Sequence, residues 1–291
     1  MIGGAQGRLW RHYADLRRSI TRAGSAREAL THFHDARRSD VAGWQRATTE
    51  GHHSYRASID PIPATVAVIC VTSRPERLAE LLRFVANQDH RDLELVVVTN
   101  SEAYDDVDVD AEVGPIRGAV GEVNVLRQPG THSLGRCLNA AMATTDARFV
   151  AKFDDDDRYG PHYLSDALRA HRYAGAGVVG KHTYYAHLST TDEYVLRFPG
   201  HEFTYSSTLA GGTLVIDRER TGRLEFEDRS LGEDRAFIRA CHRMGVSTFS
   251  ADRFGFIQTR GADNTWSVSR EQFLEGCTVL PADDGAEVFF Q

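Results

Sequence analysis

The chain has 291 residues, of which 41% are apolar and 26% charged, the proportions of a soluble globular protein with a substantial core. Acidic residues outnumber basic ones, 41 to 34, and a formal charge of −7 gives no support for nucleic-acid binding. No apolar run reaches the roughly 18 to 20 residues of a membrane span, and the N-terminus lacks the apolar core and cleavage site of a signal peptide.

Cys70, Cys137, Cys241 and Cys277 are widely spaced, with no C-x-x-C pair. That argues against a zinc site or a disulfide scaffold and points to a reducing cytoplasm. Nearly every basic residue is arginine; lysine occurs only at Lys152 and Lys181.

Residues 1–62 are rich in Arg and His, with helical stretches such as SAREALTHFHDARR, but carry no strong core pattern. They read as a helical N-terminal extension and a candidate surface for homo-oligomer formation. The proline-containing DPIPA (60–64) marks the boundary.

Beyond it, TVAVICV (65–71) has the short β-branched pattern of a strand covered on both faces. RPERLAELLRFVANQ (74–88) sets Leu78, Leu81, Leu82 and Val85 at helical spacing, with Pro75 at the start. LELVVVT (93–99) is a second buried strand, completing a βαβ unit. Strands at 122–127 and 147–153, with a helix over 134–144 between them, extend this into an open, mostly parallel sheet, which takes ligands at the carboxyl ends of its strands. A helix is expected over 160–171. The later part mixes short strands with a helix over 233–245 that ends at Gly245.

Three motif matches fail. GAGVVGK (175–181) is followed by His182, where a phosphate loop needs Ser or Thr. The calcium-loop pattern starting at Asp106 has Ala111 in place of the turn glycine and Arg117 in place of the bidentate Glu. The turn VTSRPERL has no dinucleotide-binding glycine fingerprint.

The run AKFDDDDRYG (151–160) then stands out. Four adjacent carboxylates, Asp154 to Asp157, follow a predicted central strand at the ligand edge of the sheet, next to Lys152. Carboxylate oxygens are hard ligands suited to Mg2+ or Mn2+, and such sites use one or two carboxylates and complete the shell with substrate phosphates and water. Asp154, Asp156 and Asp157 are therefore candidates to hold a divalent ion bearing a nucleotide diphosphate. The alternative is an exposed acidic turn.

The blocks VAVICVTSRPERLAELLRFVANQ, LELVVVTN, LGRCLNAAM, FVAKFDDDDRYGPHYL and LGEDRAFIRAC occur in this order. In that order they resemble family 2 glycosyltransferases of the GT-A fold, over about residues 64 to 260. The resemblance implies an α/β fold with a central, mostly parallel sheet flanked by helices. Residues 63–160 would be its nucleotide-sugar-binding half and 161–291 the acceptor-binding, catalytic half of the same domain. It also implies a nucleotide-diphosphate-sugar donor, Mn2+ or Mg2+ at a D-x-D motif, and inversion at the anomeric carbon.

Carried onto this chain, the D-x-D falls on Asp154, near the donor ribose, and Asp156, the principal metal ligand, with Asp154 as a second ligand. Asp157 supports the loop. Thr72, Arg74, Lys152 and Asp155 fall among the donor contacts. Thr99 and Asn100 stand where the family often has base-reading aspartates, and Leu138 replaces the common Arg before Asn139. Asp234 matches the catalytic base, with Glu233 beside it to orient the acceptor. A base is chemically required, because an acceptor hydroxyl is a poor nucleophile at neutral pH; helix capping is the alternative role for these two acids. In RGADNTW (260–266), Asn264 stands where related enzymes place a metal-binding histidine, and Trp266 is a candidate for stacking on a sugar.

The expected function is metal-dependent, inverting transfer of a sugar to an acceptor hydroxyl on a saccharide or small natural product. Two alternatives stay open: a sugar nucleotidyltransferase, for which the glycine-poor first turn is a poor fit, and a non-catalytic nucleotide-sugar-binding protein.

Overall fold

Apolar runs long enough to cross a sheet, but too short for helices, build the middle of the molecule. The computed structural model describes residues 56–57, 59–261 and 269–280. The first strands are β1 (Val66–Thr72), β2 (Leu93–Thr99), β3 (Glu122–Arg127) and β4 (Phe149–Asp154). They are followed by β5 (Arg158–Tyr159), β6 (Val178–Gly180), β7 (Tyr184–Leu188), β8 (Glu193–Arg197) and β9 (Thr204–Tyr205). The last four are β10 (Val215–Asp217), β11 (Thr248–Ser250), β12 (Phe256–Arg260) and β13 (Cys277–Val279). The longer helices are α1 (Pro75–Ala86), α2 (Leu134–Met142), α3 (Tyr163–Ala174) and α4 (Glu233–Arg243).

The larger sheet has the order β3-β2-β1-β4-β10-β6-β11-β9. β1 pairs in parallel with β2 and β4, and β2 with β3. β10 enters antiparallel between β4 and β6, and β11 runs parallel to β6. One edge therefore collects the C-terminal ends of β1, β2, β4, β6 and β11 together with the N-terminal end of β10.

Alternation along β1 explains the layers. Val66, Val68 and Cys70 join a core with Leu78, Leu81 and Leu82 of α1 and Leu164 and Leu168 of α3. Ala67 and Ile69 join the opposite core with Cys137 and Leu138 of α2 and Phe237 and Ile238 of α4. Helices thus cover both faces, which is why β1 reads as a continuous apolar run.

Local signals place the helix ends. Pro75 opens α1, and Ser133 caps α2 by accepting from the Arg136 N–H at 3.2 Å. α3 begins three residues later than the sequence suggests, because the Gly160 N–H is held by the Gly255 carbonyl at 2.9 Å and Pro161 follows. It ends on Gly175, whose φ of 60° is a left-handed conformation that favours glycine.

A second sheet has the order β13-β8-β7-β12-β5. β5 starts at Arg158, directly after the acidic run, and pairs with β12. Asp155, Asp156 and Asp157 are therefore the link between the two sheets. From Pro61 on, the described chain belongs to one compact unit. The helical extension expected over 1–62 falls almost entirely outside the described residues. The four cysteines are free, and no described helix is long and apolar enough to cross a membrane.

Gly135, in the first turn of α2, sits under the segment that leads to α4: its N–H donates to the Arg229 carbonyl at 3.0 Å, and a Cβ there would collide with the Glu227 carbonyl oxygen. Gly135→Ala should lower the unfolding free energy by about 2 kcal/mol in urea titrations. Gly114→Ala, where an added Cβ meets nothing within 4 Å, should change it by less than about 1 kcal/mol.

Candidate active site

The site forms where β4 leaves the sheet. Lys152 and Asp154 are two residues apart on that strand and share a face. The Lys152 Nζ donates to Asp154 Oδ1 at 2.6 Å and lies 4.0 Å from Glu233 Oε1. Burial opposes a charged ammonium, but Asp154, Glu233 and Asp234 outweigh it and raise the Lys152 pKa above its usual value. Only 3% exposed, Lys152, expected among the donor contacts, is a buried counter-ion between β4 and α4. Lys181, the other lysine, is likewise buried and paired, with Asp252 Oδ1 at 3.1 Å.

Each aspartate of the run has its own setting. Asp155 Oδ2 accepts from the Thr72 hydroxyl at 2.6 Å and from Arg74 Nε at 3.2 Å, while its Oδ1 is paired with Arg74 Nη2. Asp155 thereby anchors the turn after β1. The Thr72 hydroxyl also meets the Tyr104 hydroxyl at 3.2 Å. Asp156 Oδ2 lies 3.0 Å from Arg74 Nη2. Asp157 is buried, and its Oδ1 accepts the Thr259 N–H of β12 at 3.0 Å. Asn100 follows β2 on the same edge, its N–H donating to the Thr72 carbonyl at 3.2 Å.

Gly211 and Gly212, just before β10, bring the acidic run against α4. A Cβ on Gly212 would lie 2.6 Å from Asp157 Oδ2 and 2.9 Å from Asp154 Oδ2. A Cβ on Gly211 would collide with Asp234 Oδ2. The two-glycine turn is thus in van der Waals contact with the carboxylates of the acidic run through one residue and with Asp234 through the next. Tyr159 fixes this turn: its hydroxyl accepts the Asp154 N–H at 2.8 Å and donates to the Gly212 carbonyl at 2.7 Å. Its ring stacks on Phe153 with centroids 3.7 Å apart.

At the start of α4, Gly232 takes the cap position with φ 74°. Asp234 Oδ1 accepts the Arg235 N–H of the first turn at 2.6 Å, and its Oδ2 faces Gly211. Glu233 is 5% exposed; its burial pushes its pKa up to about 7, Lys152 partly opposing this and Asp234 adding to it.

The donor set decides whether a divalent ion suits the site. Among the described residues, no group of three or more His, Cys, Asp or Glu side chains is arranged to hold a metal. Asp154 Oδ2 and Asp157 Oδ2 converge beside Gly212, and Asp156 adjoins them. Burial first, then mutual repulsion within the run, raises the pKa of Asp154 and Asp157, a cost that a cation would relieve. Hard oxygens in this number fit a magnesium-type site whose remaining ligands are phosphate and water. Asn264 and Trp266 lie outside the described residues.

All the other expected site residues fall on the same edge of the sheet. Tyr104, Tyr159, Gly211, Gly212 and Thr259 join them without having been foreseen. Of these, only the glycine pair before an apolar run carries a signal in the sequence, that of close backbone approach.

The sequence model of glycosyl transferase family 2 matches residues 66–242. A search of curated proteins found no match. Among solved structures, S. aureus TarS 1-349 in complex with UDP-GlcNAc superposes with a TM-score of 0.54 at 18% identity, covering 72% of this chain and 63% of that one. The mannosyltransferase PcManGT from Pyrobaculum calidifontis, in complex with GDP-Man and Mn2+, superposes with a TM-score of 0.52 at 17% identity, covering 71% and 60%. The chain thus aligns to about three fifths of the length of these proteins, and the likeness is one of fold.

Glu233 makes stability depend on pH. The folded protein holds its proton up to about 7, whereas the ordinary value is 4.5, so this contribution is fully present below the lower value and is lost as the pH rises through the higher. Glu233→Gln should therefore flatten the fall in thermal midpoint between about pH 5 and pH 8 relative to wild type, measured by circular dichroism.

Proposed function

The chain belongs to glycosyl transferase family 2, and from that membership we propose that it transfers a sugar from a nucleotide-diphosphate donor to an acceptor hydroxyl with inversion at the anomeric carbon. The observation that carries this reading is the Gly211–Gly212 turn, which touches Asp154 and Asp157 with one residue and Asp234 with the other. A leaving group held at the acidic run and a nucleophile held at Asp234 are then neighbours, as a direct displacement requires.

In this reading the nucleoside lies along the ends of β1 and β2, at Thr72 and Asn100, with Asp154 near the ribose. Asp156, with Asp154, would hold Mn2+ or Mg2+, which when bound offsets the charge of the departing diphosphate. Asp155 and Arg74 keep the turn after β1 in register with the acidic run. Lys152 holds Asp154 and Glu233 at fixed places within a buried, carboxylate-rich region. The Oδ2 of Asp234 takes the acceptor proton as the hydroxyl oxygen bonds to the anomeric carbon. The bond to the diphosphate breaks with its electron pair, so the leaving group needs no proton. Attack from the face opposite the diphosphate inverts the configuration. Glu233 orients the acceptor through the first turn of α4.

Complexes of TarS with UDP-GlcNAc and of PcManGT with GDP-Man and Mn2+ support a sugar nucleotide as donor and manganese as the ion. The acceptor is a hydroxyl-bearing saccharide or small natural product.

A thermal-shift panel of UDP- and GDP-sugars with and without Mn2+ identifies the donor, because a ligand that binds only the folded state raises its midpoint. With that donor, Asp234→Asn should keep the dissociation constant within a few-fold and lose about 10²- to 10⁴-fold in transfer rate. Asp156→Ala should lose the metal-dependent part of the donor-induced shift. Full metal-dependent transfer by Asp156→Ala would overturn the ligand assignment, and unchanged transfer by Asp234→Asn would overturn the base.

A further inference from the structure

Arg74 has two attachments within the acidic run. Pro75 follows it and restricts its backbone, which is extended at φ −122° and ψ 94°, so the base of the side chain is fixed. β1 and β4 are adjacent, with Val71 opposite Asp154, and the side chain reaches directly across to the acidic run. Nε and Nη2 grip both oxygens of Asp155 as a fork, and Asp155 is itself held by the Thr72 hydroxyl. The same Nη2 lies 3.0 Å from Asp156 Oδ2. The Arg74 side chain is 24% exposed and that of Asp156 19%, so this ion pair is partly withdrawn from solvent and less screened than one on the open surface.

We propose that Arg74 is a resident cation on Asp156, and that a divalent ion reaches this carboxylate only by displacing the guanidinium, so that the protein without donor binds divalent ions weakly. This rests on the reading of Asp156 as a metal ligand. A guanidinium and a dipositive ion cannot share one carboxylate edge, because like charges so close repel strongly away from bulk water. Displacement frees Nη2 from Asp156 and Asp155, while Nε, 3.2 Å from Asp155 Oδ2, keeps the guanidinium nearby, where a donor diphosphate offers Nη2 a new anionic partner. Metal and donor would then enter together, with Arg74 passing from Asp156 to phosphate oxygen.

The test is a titration of the full chain with Mn2+ alone, free ion being followed by electron paramagnetic resonance. Arg74→Gln should bind Mn2+ about tenfold more tightly than wild type, the scale expected for removal of one competing ion pair. Arg74→Lys keeps the charge but loses the fork; it should tighten binding as well, and it serves as the test variant if Arg74→Gln does not fold. Affinity equal to or weaker than wild type in a folded variant overturns the proposal. So does a gain confined to Arg74→Gln, which would be an effect of net charge alone. Asp156→Ala separates the two layers: if it binds Mn2+ as wild type does, the ligand assignment fails. If it loses Mn2+ while the Arg74 variants match wild type, only the displacement fails.

Discussion

A side-chain carbon at Gly211 or Gly212 would displace carboxylate oxygens of Asp234, Asp154 and Asp157, which occupy the space it would need. This steric constraint joins elements far apart in the chain: the end of β4 and the start of α4, on either side of a turn that leads into β10. Strand polarity prepares the meeting. β10 runs antiparallel to β4, so its N-terminal end lies beside the C-terminal end of β4. The turn before β10 therefore arrives at the ligand edge of the sheet rather than at the opposite one. The Tyr159 hydroxyl, bonded to the Asp154 N–H and the Gly212 carbonyl, then sets the distance between the two backbones.

Electrostatics follows from the same geometry. Six acids, Asp154 to Asp157 with Glu233 and Asp234, collect around the turn, and the protein answers with cations of its own. Lys152 is buried between Asp154 and Glu233, and Arg74 bridges Asp155 and Asp156. These partners keep the acids from driving the fold apart, yet burial still raises the pKa of Asp154, Asp157 and Glu233. A site that gathers this many carboxylates suits the further cation and the diphosphate proposed for it.

Much of the fold was legible because burial on two faces leaves a plain trace. The runs 65–71 and 93–99 are apolar apart from Thr65, Glu94 and Thr99, and β1 and β2 lie within a residue of those bounds. Helix α1 was readable from Leu78, Leu81, Leu82 and Val85, all of which are buried. The two-residue strand β5 was not legible, since it exists only by pairing with β12, nearly a hundred residues away. For the site, position at a strand end singled out the aspartates, and α4 begins at Glu233 as its acidic opening suggests. The neighbours of each acid were out of reach. Adjacency to the run drew attention to Lys152, but its pairing with Asp154 and its approach to Glu233 of α4 could not be read from that adjacency. Asp155 bonds Thr72 across 83 positions of sequence, and no local pattern encodes such a contact.

The central claim is that the acidic run holds the departing diphosphate while Asp234 faces the incoming hydroxyl across the glycine turn. Anomalous diffraction from crystals grown with Mn2+ and a nucleoside diphosphate tests it most directly. The account predicts a manganese peak at Asp156 on the Asp154 side of Gly212, with the Asp234 carboxylate on the far side of Gly211 and open to the space beyond the diphosphate. A peak bound away from the acidic run, or an Asp234 carboxylate turned to a face that the nucleotide does not approach, would contradict it.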